Sequence, residues 1–477
     1  MPIAAGRVWL RDPIAALADG AERGVVVENG RIAELVGKGA EPVHPVQRIF
    51  DASRHVVTPG LVNTHHHFFQ TMTRAHPKAI NKSLWPWIEA LYPIWTRHVN
   101  ADNFRLAARL SATELLMSGC TCASDHHYMF PAGLEDALDI EAEEAAAAGI
   151  RMTLARGALD VVGDKAGDDS QAVAPGGATQ DTDTILADCE RVIGRYHDRS
   201  DGAMTRVALA PCAPFDVSMR LMRETAALAE KHDCRLHTHL VETKQEADFA
   251  REKHGMSAVD YLEECGWLSE RTWLAHGIHF DDGEVQKLGR HGVGICHCPT
   301  SNMVLASGIC RTKELEAAGS PVGLGVDGSA SNDNSNLIEA ARHALMIGRL
   351  RYGAEAVTDR DALRWATEGS ARCLGRDDIG AIPPWPSAAH PGPSPPRRHR
   401  RRQAGRSRLL VARRAALFRR RRSDRRPRAL RRPCGRPRHG QGRVAGRGRP
   451  AGRRRRGKTP PRTSSGFARL SGRAMKH

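Results

Sequence analysis

Eight short apolar runs, separated by stretches of helical pattern, restrict what this chain can fold into more than any other feature. They are LVNTHHH from Leu61, CTCASDHH from Cys120, RMTLARGALD from Arg151, RVALAPCAP from Arg206, RLHTHLVE from Arg235, TWLAHGIH from Thr272, GVGICHCP from Gly292 and PVGLGVDGS from Pro321. Between them lie Ala- and Leu-rich amphipathic segments such as residues 141–148 and 219–232. Strands alternating with helices imply parallel β-α units. Eight such units predict an α/β fold of the closed (β/α)8 TIM-barrel type. The alternative, an open doubly wound sheet binding a dinucleotide, expects G-x-G-x-x-G after the first strand, and no such motif follows.

The polar residues cluster at the C-terminal ends of these runs, where barrel enzymes place their chemistry. In Asn63-Thr64-His65-His66-His67, residues two apart share one face of a strand. His65 and His67 therefore face the barrel axis together and His66 faces away, which is half of a metal site. A lone H-x-H also arises as polar loop filling. The segment His237-Thr238-His239-Leu240-Val241-Glu242 repeats the pattern. His239, nearer the strand end, reads as a ligand. His237 reads as a packed histidine beneath the site, and Glu242 as a carboxylate able to move protons. His276 ends the sixth run and can polarise a substrate; His279, further into the loop, is the alternative. Asp327 follows an apolar strand, and a buried aspartate is costly unless paired or metal-bound. Three imidazoles and one carboxylate suit one divalent metal, zinc or ferrous iron.

The stretches PGLVNTHHHFFQT (59–71), HTHLVET (237–243), LAHGIHF (274–280), HCPTSN (297–302) and GLGVDGSASND (323–333) together resemble the amidohydrolase superfamily, in its cytosine/guanine deaminase-like and chlorohydrolase-like branch. The likeness runs in order from about residue 1 to residue 380. It implies that His65, His67, His239 and Asp327 hold the metal, that Glu242 carries a proton to a ring nitrogen, that His276 polarises the reacting centre and that Asp327 takes a proton from the attacking water. The implied activity is hydrolytic deamination of an amino-substituted heterocycle by a metal-activated water, with 8-oxoguanine going to urate and ammonia. A hydroxy-triazine aminohydrolase, or another guanine- or cytosine-type deaminase, is the alternative. Gln70 would then bond a substrate carbonyl and Cys212 lie against the ring. The other deaminase signature, H-x-E with P-C-x-x-C, is not matched, because Pro211-Cys212-Ala213-Pro214-Phe215 lacks the second cysteine.

Residues 1–57 hold short β-rich runs (7–10, 24–28, 31–36 and 55–57) with Asn29-Gly30 as a hairpin signal. They predict part of a small β-sandwich domain, with the barrel over 58–382. Composition breaks at that boundary. Residues 383–477 hold 32 of the 71 Lys and Arg but only one of the 54 Asp and Glu, Asp424, so this tail carries +31 and the rest of the chain −14. The tail is rich in Arg, Pro, Gly and Ala and reads as disordered. It stands where the family's remaining β strands are expected, which a shift of reading frame near residue 382 would explain. Two further readings compete: a tail binding nucleic acid, disfavoured by its scarcity of aromatics, and an inactive product whose N-terminal strands lack partners. Eleven scattered cysteines fit reduced, buried thiols in a cytoplasmic enzyme. The C-x-C pairs Cys120/Cys122 and Cys296/Cys298 read as strand cysteines rather than a zinc ribbon. No apolar run reaches membrane-spanning length and no secretory signal opens the chain. The expected partner is a small heterocyclic substrate, with a homo-oligomer open.

Overall fold

In the computed structural model, residues 6–163 and 174–382 are described. All eight predicted runs form strands: Leu61–Asn63, Cys120–His127, Arg151–Ala158, Thr205–Pro211, Arg235–Leu240, Thr272–His276, Gly294–His297 and Val322–Leu324. They pair in sequence order, each parallel to the next. Helices between them return the chain, as parallel pairing demands. Met219–His232, for example, begins where the Ser218 side chain accepts from the Leu221 amide and ends at Asp233, whose φ is 54°.

Strand side chains divide between two cores. On strand five, Leu236 and Leu240 join the large core beneath the helices. The odd-numbered His237 and His239 must then face the barrel interior. Below the histidines the interior is filled by Val62, Cys122, Ala155, Ala208, Trp273 and Cys296. The ten cysteines of the described residues are all free and buried. Among those residues no candidate metal cluster contains a cysteine, and no helix is long and apolar enough to cross a membrane.

The eighth strand meets the first through loop hydrogen bonds just above the sheet. The Thr64 amide and hydroxyl both donate to the Leu324 carbonyl at 3.0 Å. The Asn63 side-chain oxygen accepts from the Val326 amide at 2.9 Å, and the Asp327 amide donates to the His65 carbonyl at 3.1 Å. The approach is close enough to demand glycine at 325, where a Cβ would stand 2.6 Å from the Cys296 sulfur and 2.7 Å from the His65 Cβ. Gly325→Ala is expected to destabilise the protein by about 1–3 kcal/mol through overpacking and to disturb His65. A thermal melt with metal analysis checks both effects.

The N-terminal segment forms a four-stranded sheet, in the order Arg31–Val36, Gly24–Glu28, Arg7–Arg11 and Arg48–Asp51. Asn29 and Gly30 both take positive φ, 49° and 73°, as a two-residue hairpin with primed geometry requires. The pair Ala15–Ala16 and Val56–Val57 makes a second small sheet, so the run predicted at 55–57 starts one residue later. Arg48–Asp51 was not expected as a strand. Its sequence RIFD is charged at both ends and largely exposed, which erases the apolar signature. Leu10, Val25, Val27 and Val57 form the core here, and Ile382 packs into it. The basic tail predicted from residue 383 lies outside the described residues.

Candidate active site

The strand ends place His65, His67, His239 and Asp327 together at one mouth of the barrel. His67 Nε2 stands 3.1 Å from His239 Nε2. Asp327 Oδ1 lies 3.4 Å from His65 Nε2 and 3.3 Å from His67 Nε2. All four residues are buried or nearly so.

Hydrogen bonds at the far nitrogens fix how these imidazoles present themselves. His67 Nδ1 donates to the His126 carbonyl at 2.8 Å, and His239 Nδ1 to the Cys212 carbonyl at 2.7 Å. His237 Nδ1 donates to the Trp273 carbonyl at 2.9 Å. Its Nε2 is therefore an acceptor, and takes the proton of His65 Nδ1 at 2.8 Å. A carbonyl can only accept, so each of the three candidate ligands keeps its Nε2 lone pair free. Burial pushes the pKa of His65 down, that of His67 down to about 3 and that of His239 well down, so the rings are neutral. Burial opposes charge on Asp327 as well. The surrounding His65, His67 and His276 outweigh that and hold the carboxyl well below the usual carboxylate range, so it stays ionised. The Gly328 amide donates to its Oδ1 at 2.6 Å.

Two lone pairs facing each other at 3.1 Å repel, and buried His65 Nε2 has no hydrogen-bond partner. Nitrogens sharing one zinc at about 2.1 Å in a tetrahedral shell stand roughly 3.4 Å apart. The donor set therefore fits a divalent metal and leaves this cluster unsatisfied without one.

His237 thus lies beneath the cluster, stacked on Trp273 with ring centroids 4.3 Å apart. It orients His65 rather than joining the mouth. Phenylalanine at 237 would keep the stack and remove the acceptor. Its expected effect is a 10–100-fold loss of zinc affinity with little change in secondary structure, read by chelator competition and circular dichroism.

Glu242 and His276 face each other across the mouth, with His276 Nε2 3.4 Å from Glu242 Oε2 and 4.0 Å from Asp327 Oδ2. The Asn302 amide nitrogen donates to His276 Nδ1 at 3.1 Å, leaving the ring proton on Nε2, toward both carboxylates. Ser307 donates to Glu242 Oε1 at 2.8 Å. Burial, then the charge of Asp327, raises the Glu242 pKa to about 8, so near neutrality this carboxyl carries a proton to give. His279 points elsewhere and hydrogen-bonds the Ser307 carbonyl at 2.8 Å. Val241, His276 and Asp327 all hold positive φ, at 51°, 71° and 65°. Such backbone in non-glycine residues costs about 1–3 kcal/mol each and gathers at functional sites.

A cavity opens over this cluster, walled by Trp87, Tyr92, Tyr128 and Phe215 and reached by Gln70, Glu242 and Cys212. The Gln70 side-chain oxygen is buried without a partner, and a Cβ at residue 328 would stand 1.9 Å from it. Cys212 lines the cavity, and its carbonyl also orients His239. Sequence reasoning missed Asn302, Ser307 and the aromatic wall. Asn302 sat inside a quoted motif without a role. The aromatics come from helix and loop positions whose spacing carries no pattern.

Comparison with known proteins agrees with this geometry. Residues 56–384 match the amidohydrolase family. The chain is 56% identical over 381 residues to 8-oxoguanine deaminase of Pseudomonas aeruginosa, covering 79% of this chain and 84% of that protein. It is 36% identical over 330 residues to hydroxydechloroatrazine ethylaminohydrolase of a Pseudomonas species, covering 68% and 67%. Among solved structures, the zinc complex of atrazine chlorohydrolase from Arthrobacter aurescens superposes with a TM-score of 0.72 at 29% identity, over 78% of this chain and 84% of that one. With the barrel, the histidine cluster and these relatives in accord, the chain belongs to the amidohydrolase family, as a hydrolase acting on carbon–nitrogen bonds.

Proposed function

We propose that this protein is a metal-dependent deaminase that converts 8-oxoguanine and water to urate and ammonia. The observation that carries the reading is a buried Glu242 set beside the clustered His65, His67, His239 and Asp327, under an aromatic-walled cavity. The 56% identity to 8-oxoguanine deaminase supports the choice of substrate.

In this reading His65, His67, His239 and Asp327 hold one divalent metal. Zinc suits the donors best and iron(II) is the alternative. When bound, such a metal lowers the pKa of a water toward about 7 and so supplies a nucleophile at neutral pH. Asp327 takes the proton of the attacking water. Glu242 protonates the ring nitrogen next to the amino-bearing carbon, which makes that carbon electrophilic. His276, donating through Nε2, polarises the reacting centre by steadying negative charge on the attacking oxygen. The amino group receives a proton and leaves as ammonia, and a ring carbonyl remains. The aromatic walls grip a planar ring and exclude water, while Gln70 bonds a substrate carbonyl through its side-chain amide N–H and Cys212 lies against the ring.

We further propose a cytoplasmic enzyme of small heterocycles, with a small β domain over 1–57, the barrel over 58–382 and a tail outside the chemistry over 383–477. A hydroxy-triazine substrate is the second reading, favoured by the likeness to the ethylaminohydrolase and the chlorohydrolase. An ammonia-release panel of amino-purines, pyrimidines and triazines, with metal analysis of the same sample, decides between them. Highest kcat/KM on 8-oxoguanine is expected. Highest kcat/KM on a triazine would replace the first reading with the second.

A further inference from the structure

The second barrel strand brings a histidine to the same cluster that the four proposed ligands do not include. His126 is fully buried. Its ring stacks on His239, with centroids 4.8 Å apart and planes at 27°, and lies 5.4 Å from the ring of His67 and 5.8 Å from that of His65. One nitrogen is accounted for, because Nε2 sits 2.7 Å from the Ala210 carbonyl and must carry the proton. Nδ1 therefore holds a lone pair, and it has no hydrogen-bond partner. An unsatisfied buried acceptor is costly wherever an apolar side chain of similar shape would serve.

The surroundings of His126 supply a reason. A nitrogen of His126 groups with nitrogens of His65, His67 and His239, all within 4.8 Å of one another. Two donors on opposite sides of a zinc ion stand up to roughly 4.2 Å apart, so a small movement of the rings suffices for all to share one ion. The strand also ties His126 to the site through its backbone: its amide donates to the His66 carbonyl at 2.8 Å, and its carbonyl accepts from His67.

We propose that His126 is a fifth protein donor to the metal, through Nδ1. The proposal rests on the metal-dependent reading above and adds a consequence to it. Asp327 must both bind the ion and accept a proton, and protonation weakens a carboxylate as a ligand. A fourth imidazole keeps the ion in place at that moment.

The test uses the full chain and its His126→Phe and His126→Gln variants. Phenylalanine keeps the stack on His239. Glutamine can still donate to the Ala210 carbonyl, and carries the test if the phenylalanine variant fails to fold. Zinc affinity is measured by chelator competition, and the visible spectrum is recorded after cobalt substitution. Both variants are expected to bind zinc at least about tenfold more weakly, with cobalt bands altered by loss of one donor. Unchanged affinity and an unchanged cobalt spectrum in a folded variant overturn the proposal. A wild-type chain that binds neither ion overturns it together with the metal-dependent reading. Failure of the deaminase reading alone shows as a wild type that binds zinc and releases no ammonia from any heterocycle.

Discussion

Alanine in place of Asp327 or His239 is expected to abolish ammonia release and to lower bound metal at the same time. Each residue supplies an atom to the cluster: Asp327 Oδ1 lies within 3.4 Å of two histidine nitrogens, and His239 Nε2 lies 3.1 Å from His67 Nε2. A catalytic metal contributes several kcal/mol of transition-state stabilisation. At about 1.4 kcal/mol per factor of ten, its loss costs roughly a thousandfold or more in kcat. Asp327→Ala removes the proposed base as well, so its residual activity should not recover when zinc is added in excess. His239→Ala should recover in part, because mass action can refill a weakened site. Metal analysis and an ammonia assay on one preparation check both variants. Full turnover with normal metal content in either would end the ligand assignment.

Glutamine at Glu242 is expected to do the opposite, keeping the metal and losing turnover by about 10²–10⁴-fold. The amide can accept from Ser307 as Oε1 does, but it has no acidic proton to give. The pH profile carries the sharper signature. Burial and the charge of Asp327 raise the Glu242 pKa to about 8, so the acid form that the proposed proton transfer uses is present below that pH and disappears above it. A bound cation offsets the Asp327 charge, which removes the second of those causes and brings the alkaline limb of kcat below pH 8. In Glu242→Gln that limb should vanish. An unchanged rate, or a limb that persists in the variant, would remove Glu242 from the proton path.

Much of this was legible in the sequence because each signal repeated. The eight runs were recognisable since every strand is apolar and a helix always follows. The H-x-H pairs were legible because period-two geometry puts both rings on one face, and strand five does so with Leu236 and Leu240 turned to the outer core. Period two does not separate His237 from His239, since both face inward. Position along the strand favoured His239 as the ligand. The hydrogen bond from His65 and the stack on Trp273 give His237 its own task. Arg48–Asp51 was illegible because an exposed edge strand needs no apolar pattern. Asn302 and Ser307 were illegible in role because they reach His276 and Glu242 from the short helix Pro299–Val304 and the turn after it, on a different β-α unit.

The seam between the first and eighth strands also bears on how the chain folds. Thr64 and Leu324 are 260 residues apart in sequence and share two hydrogen bonds. Contacts so distant pay the loop-closure entropy of almost the whole barrel before they are rewarded. Asp327 reaches the histidines only when that seam forms, so a partly folded barrel has the imidazoles but not the carboxylate. Metal then binds the finished fold far better than any intermediate, and by mass action raises the stability of that state alone. The ion that serves the chemistry thus also acts as a latch on the last step of assembly. Chelation should therefore speed global unfolding more than it loosens any single strand.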